Sequence, residues 1–138
     1  MTSRREARRQ AIDVLYQADM TAKDPRVVLV EWQAAGRDLD PFAEELVEGV
    51  AASLEELDRV LAGYAEHWTL DRMASVDRTI LRLATYEILH RPDIPVGAAI
   101  DEAIRVANDL STEDSGRFVN GVLGRVAQDA SAGRGPGT

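Results

Sequence analysis

The sequence predicts an all-α protein, about seven helices in two small packed bundles forming one domain. Three observations carry that expectation. Apolar residues recur at three- and four-residue intervals through most of the 138 residues, without the sustained alternation of a half-buried strand. Helix-start signals, either Ser-x-x-Glu or Asp-Pro, stand ahead of several of those periods. Finally, Val76 to Leu89 is apolar nearly all round when wound at about 100° per residue, so other helices must cover it.

Ser3-Arg4-Arg5-Glu6 fits a capping box, in which the serine oxygen and the glutamate each satisfy a free backbone N–H. Ala7, Ala11, Val14, Leu15 and Ala18 then gather on one face of a helix running to about Thr21. Asp24-Pro25 starts a short second helix, closed by Gly36. Asp40-Pro41 starts a third, with Phe42, Leu46, Val47 and Val50 inward, ending near Ala52. Ser53-Leu54-Glu55-Glu56 is a second capping box, for a helix to about Ala65 with Leu54, Leu57, Leu61 and Tyr64 as its core stripe.

In the central helix Val76, Ile80, Leu83 and Ala84 share one side, and Arg78, Arg82 and Thr85 form the narrow polar strip. Pro92 and Pro95 end it. Val96 to Leu110 is a small-residue helix with Val96, Ala99, Ile100, Ala103, Ile104 and Ala107 inward. Ser111-Thr112-Glu113-Asp114 opens the last helix, whose inward residues are Val119, Val122, Leu123 and Val126. Its Gly121 and Gly124 mark either the close approach of a neighbour or ligand, or no packing role. The expected division is an N-terminal bundle over about 1–65, a C-terminal bundle over about 66–130, and a disordered tail at 131–138, SAGRGPGT.

Composition narrows the function. There is no cysteine, which excludes disulfides and thiolate metal sites. No apolar run approaches the roughly 20 residues of a membrane span, and the polar, arginine-rich start is unlike a signal peptide, so a cytoplasmic protein with no membrane contact is expected. No phosphate loop, GxSxG, HExxH or kinase signature occurs. His67 and His90 have no acid at metal-ligand spacing. Neither metal, cofactor nor catalysis is expected.

Charge is uneven. Four arginines against one glutamate give the first ten residues a formal +3, so the rest of the chain carries −11 of the net −8. A polyanion would be repelled almost everywhere except at that end. At helical pitch Arg4, Arg5, Arg8 and Arg9 occupy roughly a 140° arc, and Tyr16 projects between the directions of Arg5 and Arg9. Arginines that neutralise phosphates beside a ring that stacks an unpaired base suit single-stranded RNA. A solvated flank with Tyr16 at the core edge is the alternative reading. A second group, Asp114, Arg125 and Phe118 near Gly121, offers a base-stacking ring and a hydrogen-bonding carboxylate, or simply a helix-dipole aspartate and a core-edge ring.

Four blocks then resemble one family: R-R-x-A-R-x-x-A-x-x-x-L-Y at Arg4 to Tyr16, W-x-L-D-R-M-x-x-V-D-R-x-I-L-R-L-A-x-Y-E-I-L at Trp68 to Leu89, I-P-V-x-x-x-I-D-E-A-I at Ile94 to Ile104, and S-T-E-D-S-x-x-F-V-N-G-V-L at Ser111 to Leu123. In order and spacing they are similar to the NusB transcription antitermination factors. That resemblance implies an RNA-binding factor that, with the ribosomal small-subunit protein NusE, binds the boxA element of rRNA leaders within the antitermination complex of RNA polymerase. By position it makes Arg4, Arg5, Arg8, Arg9, Tyr16, Asp114, Ser115, Arg117 and Phe118 the RNA candidates, and Val76, Asp77, Leu81 and Arg82 the NusE-facing ones. Alternatives are a helical adaptor or homodimer acting only through protein contacts, and a relative of the N-terminal domain of rRNA cytosine methyltransferases. No methyltransferase domain follows in this chain, so a stand-alone factor is the expectation.

Overall fold

The computed structural model describes residues 3–64 and 69–132. Its helices are α1 (Arg4–Thr21), α2 (Pro25–Ala34), α3 (Pro41–Ala52), α4 (Leu54–Ala62), α5 (Ser75–His90), α6 (Val96–Leu110) and α7 (Glu113–Ser131), with a 3-10 turn at Leu70–Arg72. Among the described residues there is no strand. Two compact units divide between Ala52 and Ser53.

In the first unit α1 packs against α2 and α3, which also pack on each other. Ala7, Ala11, Val14 and Leu15 meet Val28, Leu29, Ala43, Leu46, Val47 and Val50 in its core. The start signals work as predicted. Ser3 Oγ accepts the Glu6 N–H at 3.1 Å, and Asp24 Oδ1 accepts the Arg26 N–H at 2.8 Å. The Arg26 side chain also donates to Asp24, and these bonds hold the Asp24 carboxyl below its ordinary range. Asp40 Oδ1 caps α3 through the Phe42 N–H at 2.9 Å.

In the second unit α5 is covered by α4, α6 and α7. Ile80, Leu81, Leu83 and Ala84 are buried, with Leu57, Leu61, Ala103, Val119 and Leu123 among the residues that fill this core. Several expectations change here. Ser53 makes no side-chain cap to α4; with φ −110° and ψ 11° it lacks the extended backbone from which an N-cap serine reaches forward. The sequence grouped α4 with the first bundle, whereas it packs on α5 and clusters with the second unit. Ala65, His67 and Trp68 lie outside the described residues.

Thr85, assigned to the polar strip of α5, is fully buried, and its Oγ1 has no hydrogen-bond partner among the described residues. Val96 is exposed, not inward, at the first turn of α6. Open space surrounds Gly121 and Gly124, so neither marks a close approach. α7 continues through Ser131, past the expected start of the tail, and residues 133–138 lie outside the described part. No helix among the described residues is long and apolar enough to cross a membrane.

A buried hydroxyl with no partner costs more than an apolar group of the same shape. Thr85→Val should therefore raise the unfolding free energy by about 1 kcal/mol in chemical denaturation; a loss of stability would show that Thr85 is satisfied in solution.

Candidate nucleic-acid interface

The first unit carries the arginine-rich motif, and it divides the four arginines. Arg8 lies four residues before Ile12 and seven before Leu15, both buried, so helical periodicity turns it toward the core face. It is only 8% exposed. Its guanidinium carbon stands 5.6 Å from the centroid of Phe42, and that of the exposed Arg4 stands 4.6 Å from the same ring. Phe42 is fixed by the Asp40 cap, and Asp40 is tied to α1 because its N–H donates to Gln10 Oε1 at 2.9 Å. Arg8 is thus corrected from open flank to a buried cation over an aromatic ring.

Arg5, Arg9 and Tyr16 keep the arrangement read from the sequence. Arg5 is exposed, Arg9 half-buried, and Tyr16 is 38% exposed, so the ring stands in solvent on the arginine side. Between them Asp13 stands at the surface, yet its neighbours desolvate its carboxyl enough to hold it above the ordinary 3.8, while Arg9 and Arg37 pull it down.

The other RNA candidates and all the partner candidates lie in the second unit. Thr112 caps α7 by accepting the Ser115 N–H at 3.1 Å. Asp114 and Arg117 are exposed and form an ion pair one turn apart, and Phe118 is half-buried on the next turn. Ser115 differs from expectation: it is buried, and its hydroxyl is 2.9 Å from Ser111 Oγ and 3.4 Å from Asp77 Oδ2. It braces α7 against the first turn of α5. Asp77 is half-buried, and its other oxygen, Oδ1, has no partner among the described residues.

Val76 is half-buried beside it. Leu81 is fully buried and offers no side-chain surface to a partner. Arg82 is engaged inside the unit, its Nε and a terminal nitrogen donating to the two Asp58 oxygens at 2.7 and 2.8 Å. The reason is α4, which brings Asp58 to the polar margin of α5. Among the described residues no cluster of three His, Cys, Asp or Glu could hold a metal ion; His90 instead sets its Nε2 2.5 Å from Glu56 Oε1.

Sequence reasoning missed Phe42 as the seat of Arg4 and Arg8, although Asp40-Pro41 signalled a helix start whose first turn would hold that ring. It also missed Gly116. A Cβ there would come within 2.0 Å of Asn108 Oδ1, because α6 and α7 approach closely at the start of α7. No spacing rule reports a contact between two helices.

These features define an all-helical protein that presents arginines and carboxylates near the starts of α1 and α7. The chain belongs to the NusB family: the profile of that family matches residues 5–128. It is 46% identical over 135 residues to the transcription antitermination protein NusB of Salinispora tropica, covering 95% of this chain and 99% of that protein. Among solved structures, T. maritima NusB superposes with a TM-score of 0.82 at 38% identity, covering 93% of this chain and 92% of that one. A chain from the crystal structure of antitermination factors NusB and NusE in complex with dsRNA gives 0.78 at 26% identity, covering 91% and 96%.

Two outcomes are expected. Gly116→Ala should gain stability only when Asn108 is also shortened: about 0.5–1 kcal/mol from helix propensity in an Asn108→Ala background, and less or none in the parent. Equal effects in both backgrounds would mean that Asn108 swings away freely. By NMR titration the Asp13 carboxyl should have its midpoint above 3.8, and Arg37→Ala should raise it further by removing a lowering charge.

Proposed function

We propose that this chain is an RNA-binding transcription antitermination factor that takes up the boxA element of rRNA leaders together with NusE, acting in the cytoplasm by binding and not by catalysis. The observation that carries the reading is the exposed Tyr16 ring on the same flank of α1 as Arg5 and Arg9, at the basic end of an otherwise acidic chain. Arginines there meet phosphates while the ring stacks an unpaired base. Asp114, Arg117 and Phe118 supply a second set of stacking and hydrogen-bonding groups at the start of α7. The crystal structure of related NusB and NusE chains in complex with dsRNA supports NusE and RNA as the kinds of partner.

On the partner side, Asp77 is half-buried in the first turn of α5 with Oδ1 enclosed, so a partner would meet only the part of the residue that stays exposed. With Val76 it forms the proposed NusE contact. Arg82 and Leu81 support that edge from within. Through NusE the factor would enter the RNA polymerase antitermination complex. A protein-only adaptor or homodimer has one observation in its favour: Met20, Val27 and Val30 of the first unit are apolar and exposed.

A titration of labelled boxA RNA, with and without NusE, tests the proposal. Arg5→Ala/Arg9→Ala and Phe118→Ala should each weaken binding about tenfold or more. Wild-type affinity should fall as salt rises, with a log–log slope near −0.7 per phosphate contact. Asp77→Lys should weaken the strengthening by NusE more than Ser115→Ala, which removes only the contact between Ser115 and Asp77. RNA binding that ignores all these substitutions would sink the site, and no RNA binding with concentration-dependent sedimentation would favour the homodimer.

A further inference from the structure

Trp32 and Arg37 form a group that the functional reading leaves unused. Gly36, at φ 80°, follows α2 in the left-handed conformation that glycine adopts freely, and the chain turns back on itself. The Gly36 N–H donates to Gln33 O at 3.0 Å and the Arg37 N–H to Trp32 O at 2.9 Å, the paired bonds of a helix C-terminal motif. That return brings the Arg37 guanidinium carbon 3.5 Å from the centroid of the Trp32 ring, a stacking distance. The ring is held independently, since its Nε1–H donates to Gln17 Oε1 at 2.8 Å. Trp32 is half-buried and Arg37 exposed, so one guanidinium face rests on indole and the other meets solvent.

This pair adjoins the basic face of α1. Gln17 follows Tyr16 directly, and Arg5, Arg9, Asp13 and Gln17 recur every four residues, so they line one stripe. Arg9 and Arg37 both act on the Asp13 carboxylate. Between Arg5 and Gln17 the stripe rises about 18 Å, long enough for several nucleotides.

Resting on the RNA-binding reading above, we infer that the Arg37–Trp32 stack is a second platform for single-stranded RNA, taking an unpaired base that flanks the segment held at Arg5, Arg9 and Tyr16. A guanidinium plane with a free face is a stacking surface for a base, and its charge serves the adjoining phosphate. The indole beneath fixes the plane beforehand, so less side-chain freedom is lost when the base arrives. A lysine in that place would keep the charge and lose the plane.

The test is an anisotropy titration of the full chain, with NusE present, against labelled boxA RNA alone and with a short unpaired flank at its 5′ or its 3′ end. One flanked RNA should bind about tenfold tighter than boxA alone. Arg37→Ala should remove that gain, leave boxA alone unchanged, and lower the salt slope on the flanked RNA by about 0.7. Arg37→Lys should keep the slope and recover only part of the affinity. An equal loss on all the RNAs, or a loss on none, overturns the inference, the second outcome reducing Arg37 to a lid on the end of α2. Failure of the functional reading is separate and visible in the same data, as absence of boxA binding by the unsubstituted chain.

Discussion

A helix with apolar residues on nearly every side is stable only where other helices reach round it, and α5 is enclosed by α4, α6 and α7. Much of the second unit follows from that enclosure. α4 packs on α5 and brings Asp58 to the margin where Arg82 can meet it. Arg78, one turn earlier, donates to the carbonyls of Leu70 and Met73 and so ties the 3-10 turn to the helix it precedes. On another side α7 is braced through Ser115 to Asp77, which fixes where Asp114, Arg117 and Phe118 begin. The charged groups of α5 are thus spent largely on holding its neighbours, while Asp77 Oδ1, Thr79 Oγ1 and Thr85 Oγ1 are enclosed without a partner among the described residues.

The first unit solves a different problem, that of holding like charges together at the start of one helix. Four guanidinium groups within six residues repel one another, and a single orientation for all of them would concentrate that repulsion. Their division between two environments relieves it. Arg4 and Arg8 face an aromatic ring whose π-electrons attract cations, and Arg5 and Arg9 remain on the side of Tyr16 with Asp13 nearby. The same residue type therefore builds the scaffold on one flank and presents charge on the other.

Most of the helix plan was legible in the sequence because its signals are local. Ser3, Asp24 and Asp40 cap the helices they were expected to cap, since capping depends on residues within a turn of one another. Asp114, Arg117 and Phe118 fall at the start of α7 as read, and Tyr16 stands out on the arginine side of α1. What escaped depends on contacts distant in sequence. Arg8 was read as surface because charge suggested it, although its spacing from Ile12 and Leu15 pointed inward. The resemblance placed Leu81 and Arg82 on a partner edge, and no local signal shows that Leu81 is enclosed or that Asp58, 24 residues away, takes up Arg82. Thr85 looked polar on a wheel but is enclosed, and the glycine that matters for close packing is Gly116, not Gly121 or Gly124.

The contact between Gly116 and Asn108 couples two positions of the sequence. Where an amide at position 108 occupies the space that a Cβ at position 116 would need, neither position can be judged by its own tolerance. A side chain at residue 116 needs the residue 108 side chain to shorten or turn aside. Substitution at one of the two sites therefore changes what the other accepts, and their effects should not add.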